Sequence, residues 1–403
     1  MDQYKWEFAP RFRRNAFGWK SQPPIQRIKE ALSEIKQVAR KEPVLAAEGA
    51  VLFLCKLAPA LEQVDSSSGA IGSAVSRAIE AMVPIIAKAE VEAATRQKWL
   101  EQLWAAVEDD KMPYIELLRD FWGELCTTPD IASQWADDFM PLVQQVWSTS
   151  ADGFGFFKGT SACLSALHAA GRHEELLSLL GTARHKWWND RRWGVKALVS
   201  LGRNAEAIRY AEESKGLNSP TWDIARLCEE ILLSSGLSDE AYSRYALEAN
   251  QATTNLATFR AIAKKYPTKS ADTILRDLVA SQPGQEGKWF AAAKHANLFD
   301  FAIELANQNA GDPKTLIRAA RDYAQTSPEF AMAAGLIAIR DIALGYGYDI
   351  TSLDVLDAYD ALIQAASSAG IQHGVMNAKI CALLPADQTR SEFVRKTLAY
   401  RFA

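Results

Sequence analysis

Cysteine is scarce and scattered in this chain. Its five thiols, Cys55, Cys126, Cys163, Cys228 and Cys381, include no Cys-x-x-Cys pair. An odd number of widely separated cysteines in apolar contexts excludes a disulfide framework and a ribbon-type zinc site, and predicts buried thiols in a reducing compartment, the cytoplasm. Histidine is equally rare, with His168, His173, His185, His295 and His373 at no metal-ligand spacing. His168 and His173 are five apart, which predicts different helical faces instead of the i, i+4 face that metals use. There is no Gly-x-Ser-x-Gly elbow. The loop Ser68-Gly69-Ala70-Ile71-Gly72-Ser73 lacks the Gly-Lys-Ser/Thr of a phosphate-binding loop and follows no strand pattern, so it reads as an interhelical loop. Adjacent acids such as Asp109/Asp110 and Glu229/Glu230 point about 100° apart on a helix and make no acid–base pair. No catalytic residue, metal or cofactor is therefore expected, and the chain is read as non-catalytic. No uninterrupted apolar run reaches about 18 residues, and Leu45–Leu54, broken by Glu48, suits a buried helix. The opening MDQYKWEFAPRFRR has no apolar core, so neither a secretory signal nor a membrane partner is expected. Strand signals are nearly absent, and the one Asp-Gly pair, Asp152-Gly153, reads as an interdomain loop.

What is present is a well-packed helical protein. Hydrophobic residues make up 48% and charged residues 23% of 403 residues, which excludes a disordered chain and allows two to four domains or one long repeat array. The net charge of -4 is unevenly spread: residues 1–41 carry ten Lys/Arg against four acids, +6, which leaves -10 for the rest. An electropositive end on an acidic body suits an acidic partner or a nucleic acid. In Ile25–Val38, Ile25, Ile28, Ala31, Leu32, Ile35 and Val38 form one stripe at helical period, behind the helix-starting pair Pro23-Pro24. Similar stripes recur to Trp147. Pro59, Pro84 and Pro141 fall inside them, where they are expected to kink or divide a helix.

From about residue 160 the pattern becomes periodic. ALHAAGRHEELLSLL (166–180) and ALVSLGRNAEAIRYAEE (197–213) align on Gly171-Arg172 and Gly202-Arg203, and ILLSSGLSDEAYSRYALE (231–248) continues the series with Gly236. Each is an Ala/Leu-rich helix ending at a glycine suited to the left-handed C-cap, followed by a second amphipathic helix. Tyr266-Pro267, Asn297 and Ser327-Pro328 occupy equivalent turn positions, and the landmarks are spaced 31, 34, 31, 30 and 31 residues apart. A period of this length means stacked two-helix units.

Leu201-Gly202-Arg203 with Ala205, Glu206, Ala207 and Ile208, and more loosely Leu233, Gly236, Asp239, Glu240, Ala241 and Tyr242, resemble the centre of a tetratricopeptide repeat. HEAT-like geometry stays open beside it. Residues 200 to 330 are also similar to the helical regions that accompany SWIM-type zinc fingers in bacterial proteins, without the Cys-x-Cys…Cys-x-His ligands of those fingers. The resemblance implies an all-α fold, a right-handed α-solenoid of stacked helical hairpins, and transfers no chemistry. The expected organisation is a basic aromatic arm over 1–24, a HEAT-like helical domain over 25–150, tetratricopeptide-like repeats over 160–345, and a C-terminal helical cap over 346–403.

Two aromatic–basic clusters stand out, Tyr4–Lys20 and Arg184–Trp193. Tryptophans in either can serve packing between repeats or a ligand, and both readings stay open. A solenoid presents an elongated concave surface, so the leading expectation is a scaffold for a protein or peptide partner. Helices over Asp190–Ser200 and Thr221–Ser234 would line it, with Arg191, Arg192, Lys196, Trp222 and Arg226 as contacts. The alternative is a nucleic-acid-binding repeat protein, in which Arg11, Arg13, Arg14 and Lys20 of the arm, together with the Trp/Arg cluster, meet phosphates. The same arm residues would serve an acidic protein partner.

Overall fold

Gly171, Gly202 and Gly236 take positive φ of 74°, 74° and 76° directly after the helices Thr160–Ala169, Trp188–Ser200 and Thr221–Ser234. In each case the amide one residue later reaches back to the carbonyl five residues before it: Arg172 to Leu167, Arg203 to Leu198, Leu237 to Leu232. This six-to-one bond is the Schellman motif, which satisfies the last helical carbonyls while reversing the chain. Asn297, at φ 59°, makes the same turn through Leu298 N to Ala293 O. Asparagine tolerates this conformation where most residues do not. Tyr266-Pro267 and Ser327-Pro328 reverse the chain differently, with Tyr266 and Ser327 at negative φ; proline opens the helix after Ser327.

The structure, a computed structural model, describes residues 4–148, 156–216, 219–384 and 389–402. The Asp152-Gly153 loop lies outside them. The described residues are helical with no strand. They form two compact units, Met1–Pro220 and Thr221–Ala403.

The first unit contains α1 (Gln22–Ala39), α2 (Pro43–Leu61), α3 (Ala70–Lys88), α4 (Ala93–Asp109), α5 (Trp122–Cys126), α6 (Pro129–Ser148), α7 (Thr160–Ala169), α8 (His173–Thr182), α9 (Trp188–Ser200) and α10 (Asn204–Glu212). Neighbours pack in sequence order, α1 on α2, α2 on α3, α6 on α7, α8 on α9 and α9 on α10. α2 and α3 are long and apolar enough to cross a membrane by length and composition, yet α2 is the unit's central core helix, with Phe53, Leu54 and Leu57 fully buried. Pro59, Pro84 and Pro141 do not divide their helices, because α2, α3 and α6 each continue through them. Burial along the apolar faces outweighs one lost backbone bond at each site. Trp104, Trp122, Trp135, Phe139 and Phe157 form a second packing centre, with ring centroids 4.6 to 6.5 Å apart. The N-terminal arm lies against α1 and α2. Trp6, Phe8 and Phe12 are buried, Phe8 and Phe12 meet Phe53 edge-on, and Glu34 accepts from the amides of Glu7 and Phe8.

The second unit contains α11 (Thr221–Ser234), α12 (Ser238–Ala241), which passes through a π turn at Tyr242–Ala246 into α13 (Leu247–Ala249), α14 (Asn255–Lys265), α15 (Ala271–Ala280), α16 (Phe290–His295), α17 (Phe299–Gln308), α18 (Pro313–Tyr323), α19 (Pro328–Ala343), α20 (Ser352–Ser368), α21 (His373–Leu383) and α22 (Thr389–Leu398). Hairpins pair α14 with α15, α16 with α17 and α18 with α19. Helix α22 buries Val394 and Leu398 and packs on α19 and α20. The fold class is thus the expected one, all-α with stacked helical hairpins.

Candidate functional site

The first unit encloses an open cleft of about 1640 Å³. Its floor is assembled from three short segments. A 3-10 turn over Glu116–Phe121 supplies Arg119 and Asp120, the first turn of α7 supplies Ser161, and the first turn of α9 supplies Asp190 and Arg192. Ser161 Oγ donates to Asp120 Oδ1, and Arg192 Nη2 meets Asp120 Oδ2 at 2.6 Å. Arg119 donates to the Lys158 carbonyl at 3.0 Å and to Glu116 Oε2 at 2.8 Å. Lys158 turns its ammonium onto the carbonyls of Val107, Glu108 and Asp110 at 3.2, 3.0 and 2.8 Å. A cation there complements the negative end of α4 and ties the Lys158 segment to it. Burial pushes the Asp190 carboxyl up to about 6; Arg192 pulls it down, the Asp120 charge adds to the rise, and Arg119 opposes it.

The rim is aromatic and basic. Phe156 is 76% exposed, Trp187 58% and Met112 48%, and all three line the cleft. Trp188 beneath them is buried. Arg184, Lys186 and Lys215 complete the wall, and among the described residues no carboxylate stands within ion-pair distance of any of them. The glycine-bearing loop before α3 adds Ser66, and α3 adds Gly72 and Ser76.

The aromatic–basic cluster Arg184–Trp193 therefore forms a wall of the cleft, but its residues divide between two jobs. Arg192 faces the cleft. Arg191, expected to contact a partner, is instead only 8% exposed: its Nε donates to Ser214 Oγ at 2.5 Å, Nη2 donates to the Tyr210 carbonyl at 3.1 Å, and the guanidinium lies 3.6 Å from the Tyr210 ring centroid. Lys196 is exposed on α9, its ammonium 4.2 Å from the Trp193 ring centroid. Trp222 and Arg226 lie on α11 in the second unit, stacked at 5.1 Å, with Arg226 bonded to Asp223 at 2.5 Å. In the arm, Arg11 pairs with Glu30 at 2.9 Å, and Arg14 pairs with Glu62 at 3.2 Å and Asp109 at 3.0 Å. Arg13 and Lys20 are exposed with no ion-pair partner among the described residues. The arm thus spends most of its aromatic surface and two of its four candidate cations on its own unit.

His168 and His173 are not separated as their spacing suggested. The Schellman turn lies between them, so their rings meet with centroids 5.1 Å apart. Burial, the neighbouring His173 and Lys196 lower the pKa of His168. Among the described residues no group of three or more His, Cys, Asp or Glu side chains is arranged to hold a metal ion. Sequence reasoning did not single out Asp120, Ser161, Asp190 or Phe156, which come together from segments up to 70 residues apart.

No family model and no curated protein matches this chain, so nothing links it to SWIM-type proteins. A chain in the crystal structure of the APC/C hetero-tetramer Cut9-Hcn1 is similar over 94% of this chain and 83% of its own length, at 12% identity and a TM-score of 0.21. A likeness at that score supports no argument, and the fold class stands on the helices and turns described above.

Proposed function

We propose that this protein is a non-catalytic helical-repeat scaffold that holds an extended peptide segment of a protein partner, with the cleft of the first unit as the seat. The observation that carries this reading is the apolar rim of Phe156, Trp187 and Met112 over the fixed Arg192–Asp120–Ser161 floor. Large exposed apolar side chains beside pre-oriented polar groups are what a bound chain needs, an anchor pocket and partners for its amides. Stacked hairpins supply the rigid frame. The docked arm, with Trp6, Phe8 and Phe12 buried and Arg11 and Arg14 paired internally, weighs against the nucleic-acid reading. We place the scaffold in the cytoplasm, where buried thiols such as Cys126 and Cys163, pushed up to about 12 by burial, stay reduced and inert.

The test is to pan a phage-displayed random peptide library on the full chain, and in parallel on Trp187→Ala/Phe156→Ala. A shared sequence pattern enriched on the parent and lost on the variant is the expected result. Enrichment that is identical on both proteins would remove the cleft as the seat.

A further inference from the structure

We propose that the segment seated in this cleft is acidic, a peptide whose Asp or Glu side chains meet Arg184, Lys186 and Lys215 while an apolar side chain packs against Trp187 and Phe156. The proposal rests on the reading of the cleft as a peptide seat and adds the chemistry of its occupant.

The charged groups lining the cleft fall into two sets. One set is already satisfied by the protein itself. Arg192 is held by Asp120, Arg119 by Glu116 and the Lys158 carbonyl, and Lys158 by three carbonyls at the end of α4. The other set is open: Arg184 and Lys186 on the loop before α9, and Lys215 after α10, all exposed and all without a carboxylate partner among the described residues. Of the lining acids, Glu116 and Asp120 are paired, Asp190 belongs to the floor, and Glu213 alone is exposed without an ion-pair partner among the described residues. Three open cations against two acids outside any ion pair, Glu213 and the part-buried Asp190, leave the wall net positive on a chain whose net charge is -4. A local field of that sign attracts and orients acidic ligands.

The same inventory separates a peptide from a nucleic acid. A phosphate backbone brings one negative charge per nucleotide, and Glu116, Asp120, Asp190 and Glu213 all line the space it would occupy. A peptide offers those carboxylates amide N–H donors and carries its own acids only where the wall is basic. Trp187 and Phe156, large and half to three-quarters exposed, supply the apolar anchor that gives such a segment its register.

The experiment measures fluorescence anisotropy of the full chain with labelled, end-capped peptides of one length. They are a Glu/Asp peptide with one Phe, its Lys/Arg counterpart and its Ser/Gln counterpart, with a short oligothymidylate alongside. The Glu/Asp peptide is expected to bind most tightly and to weaken as salt is raised. Arg184→Glu/Lys186→Glu, surface changes whose folding is checked by circular dichroism, is expected to raise its Kd by at least about tenfold and to improve binding of the Lys/Arg peptide. Equal or tighter binding of the Ser/Gln or Lys/Arg peptide by the parent protein overturns the acidic assignment and leaves the peptide seat standing. If the oligothymidylate alone binds, or if no peptide binds and a photo-crosslinker at position 187 labels none of them, both readings fall together.

Discussion

Arg191 and Arg192 are consecutive on α9 and serve different faces of it. Arg191 turns inward, 3.6 Å over the Tyr210 ring and bonded to Ser214 and the Tyr210 carbonyl, so it pins the end of α10 to α9. Arg192, about 100° further round the helix, reaches Asp120 at 2.6 Å across the cleft floor. Removing the first takes away a buried guanidinium with its Tyr210 ring contact and the donor to Ser214 Oγ, although the Tyr210 carbonyl keeps the Ser214 hydroxyl, whereas the second is a part-exposed ion pair. Arg191→Ala is therefore expected to cost about 2–4 kcal/mol of stability, and Arg192→Ala less than about 1 kcal/mol. Urea unfolding followed by tryptophan fluorescence compares them directly, and equal losses would contradict the division of labour.

Asp190 gives the cleft a pH signature. Burial raises its carboxyl from an ordinary 3.8 to about 6, with Asp120 adding to the rise and Arg192 and Arg119 opposing it. The folded chain thus holds this proton at a pH where the unfolded chain has released it. Between about 4 and 6 that proton favours the folded state, and above about 6 the buried charge is a standing cost. Asp190→Asn is expected to raise the urea midpoint at pH 7 to 8 relative to the parent, with the advantage shrinking as pH falls through about 6 and gone near 4. The comparison is within one protein, so carboxylates common to both cancel. A gain that is the same at every pH would point to packing, not to the charge.

How much of this was legible in the sequence depends on whether a feature is local. Gly171, Gly202 and Gly236 announced their turns because a left-handed C-cap is decided by one residue and the helix before it. The stripe Ile28, Ala31, Ile35 announced a buried face because helical period alone places it. The floor was invisible by the same logic, since Asp120, Ser161 and Asp190 acquire meaning only when α7 and α9 stack beside the Glu116–Phe121 turn. Arg191 was assigned to a surface because arginine usually lies there, and the sequence holds no sign that Tyr210 would offer it a face. The His168–His173 contact was hidden because a helical-face rule was applied across Gly171, a turn the sequence itself displayed and beyond which that rule does not hold.

The docking of the N-terminal arm depends on a residue that has no side chain. Gly49 on α2 lies beneath the Trp6 indole, and a Cβ at that position would overlap the ring. Gly49→Ala is expected to displace Trp6 and loosen the arm while leaving α2 helical. Limited trypsin digestion is the measurement, because Lys5, Arg11, Arg13 and Arg14 all lie in the arm. Cleavage there should become markedly faster in the variant than in the parent, with the rest of the unit still resistant. An unchanged digestion rate would mean that the Glu34 contacts to the Glu7 and Phe8 amides hold the arm without the indole.

Glu229 in the second unit is a fully buried carboxylate on the apolar face of α11, and three donors converge on it. Tyr266 Oη donates at 2.6 Å, Lys265 Nζ at 2.6 Å and Asn250 Nδ2 at 2.7 Å, which joins α11 to the end of α14 and to the residue after α13. The three donors do not depend on it equally. Lys265 is 32% exposed and can turn to water, and Asn250 keeps the Ala246 carbonyl, but the Tyr266 hydroxyl is buried with its ring. Glu229→Ala is expected to cost about 3–5 kcal/mol, whereas Lys265→Met should cost less than about 2 kcal/mol. Adding Tyr266→Phe to Glu229→Ala should cost little more, since the orphaned hydroxyl is removed with its partner. A urea double-mutant cycle on Glu229 and Tyr266 checks this. Strictly additive losses, or a Lys265→Met loss as large as that of Glu229→Ala, would mean that the ion pair and not the buried hydroxyl holds these helices together.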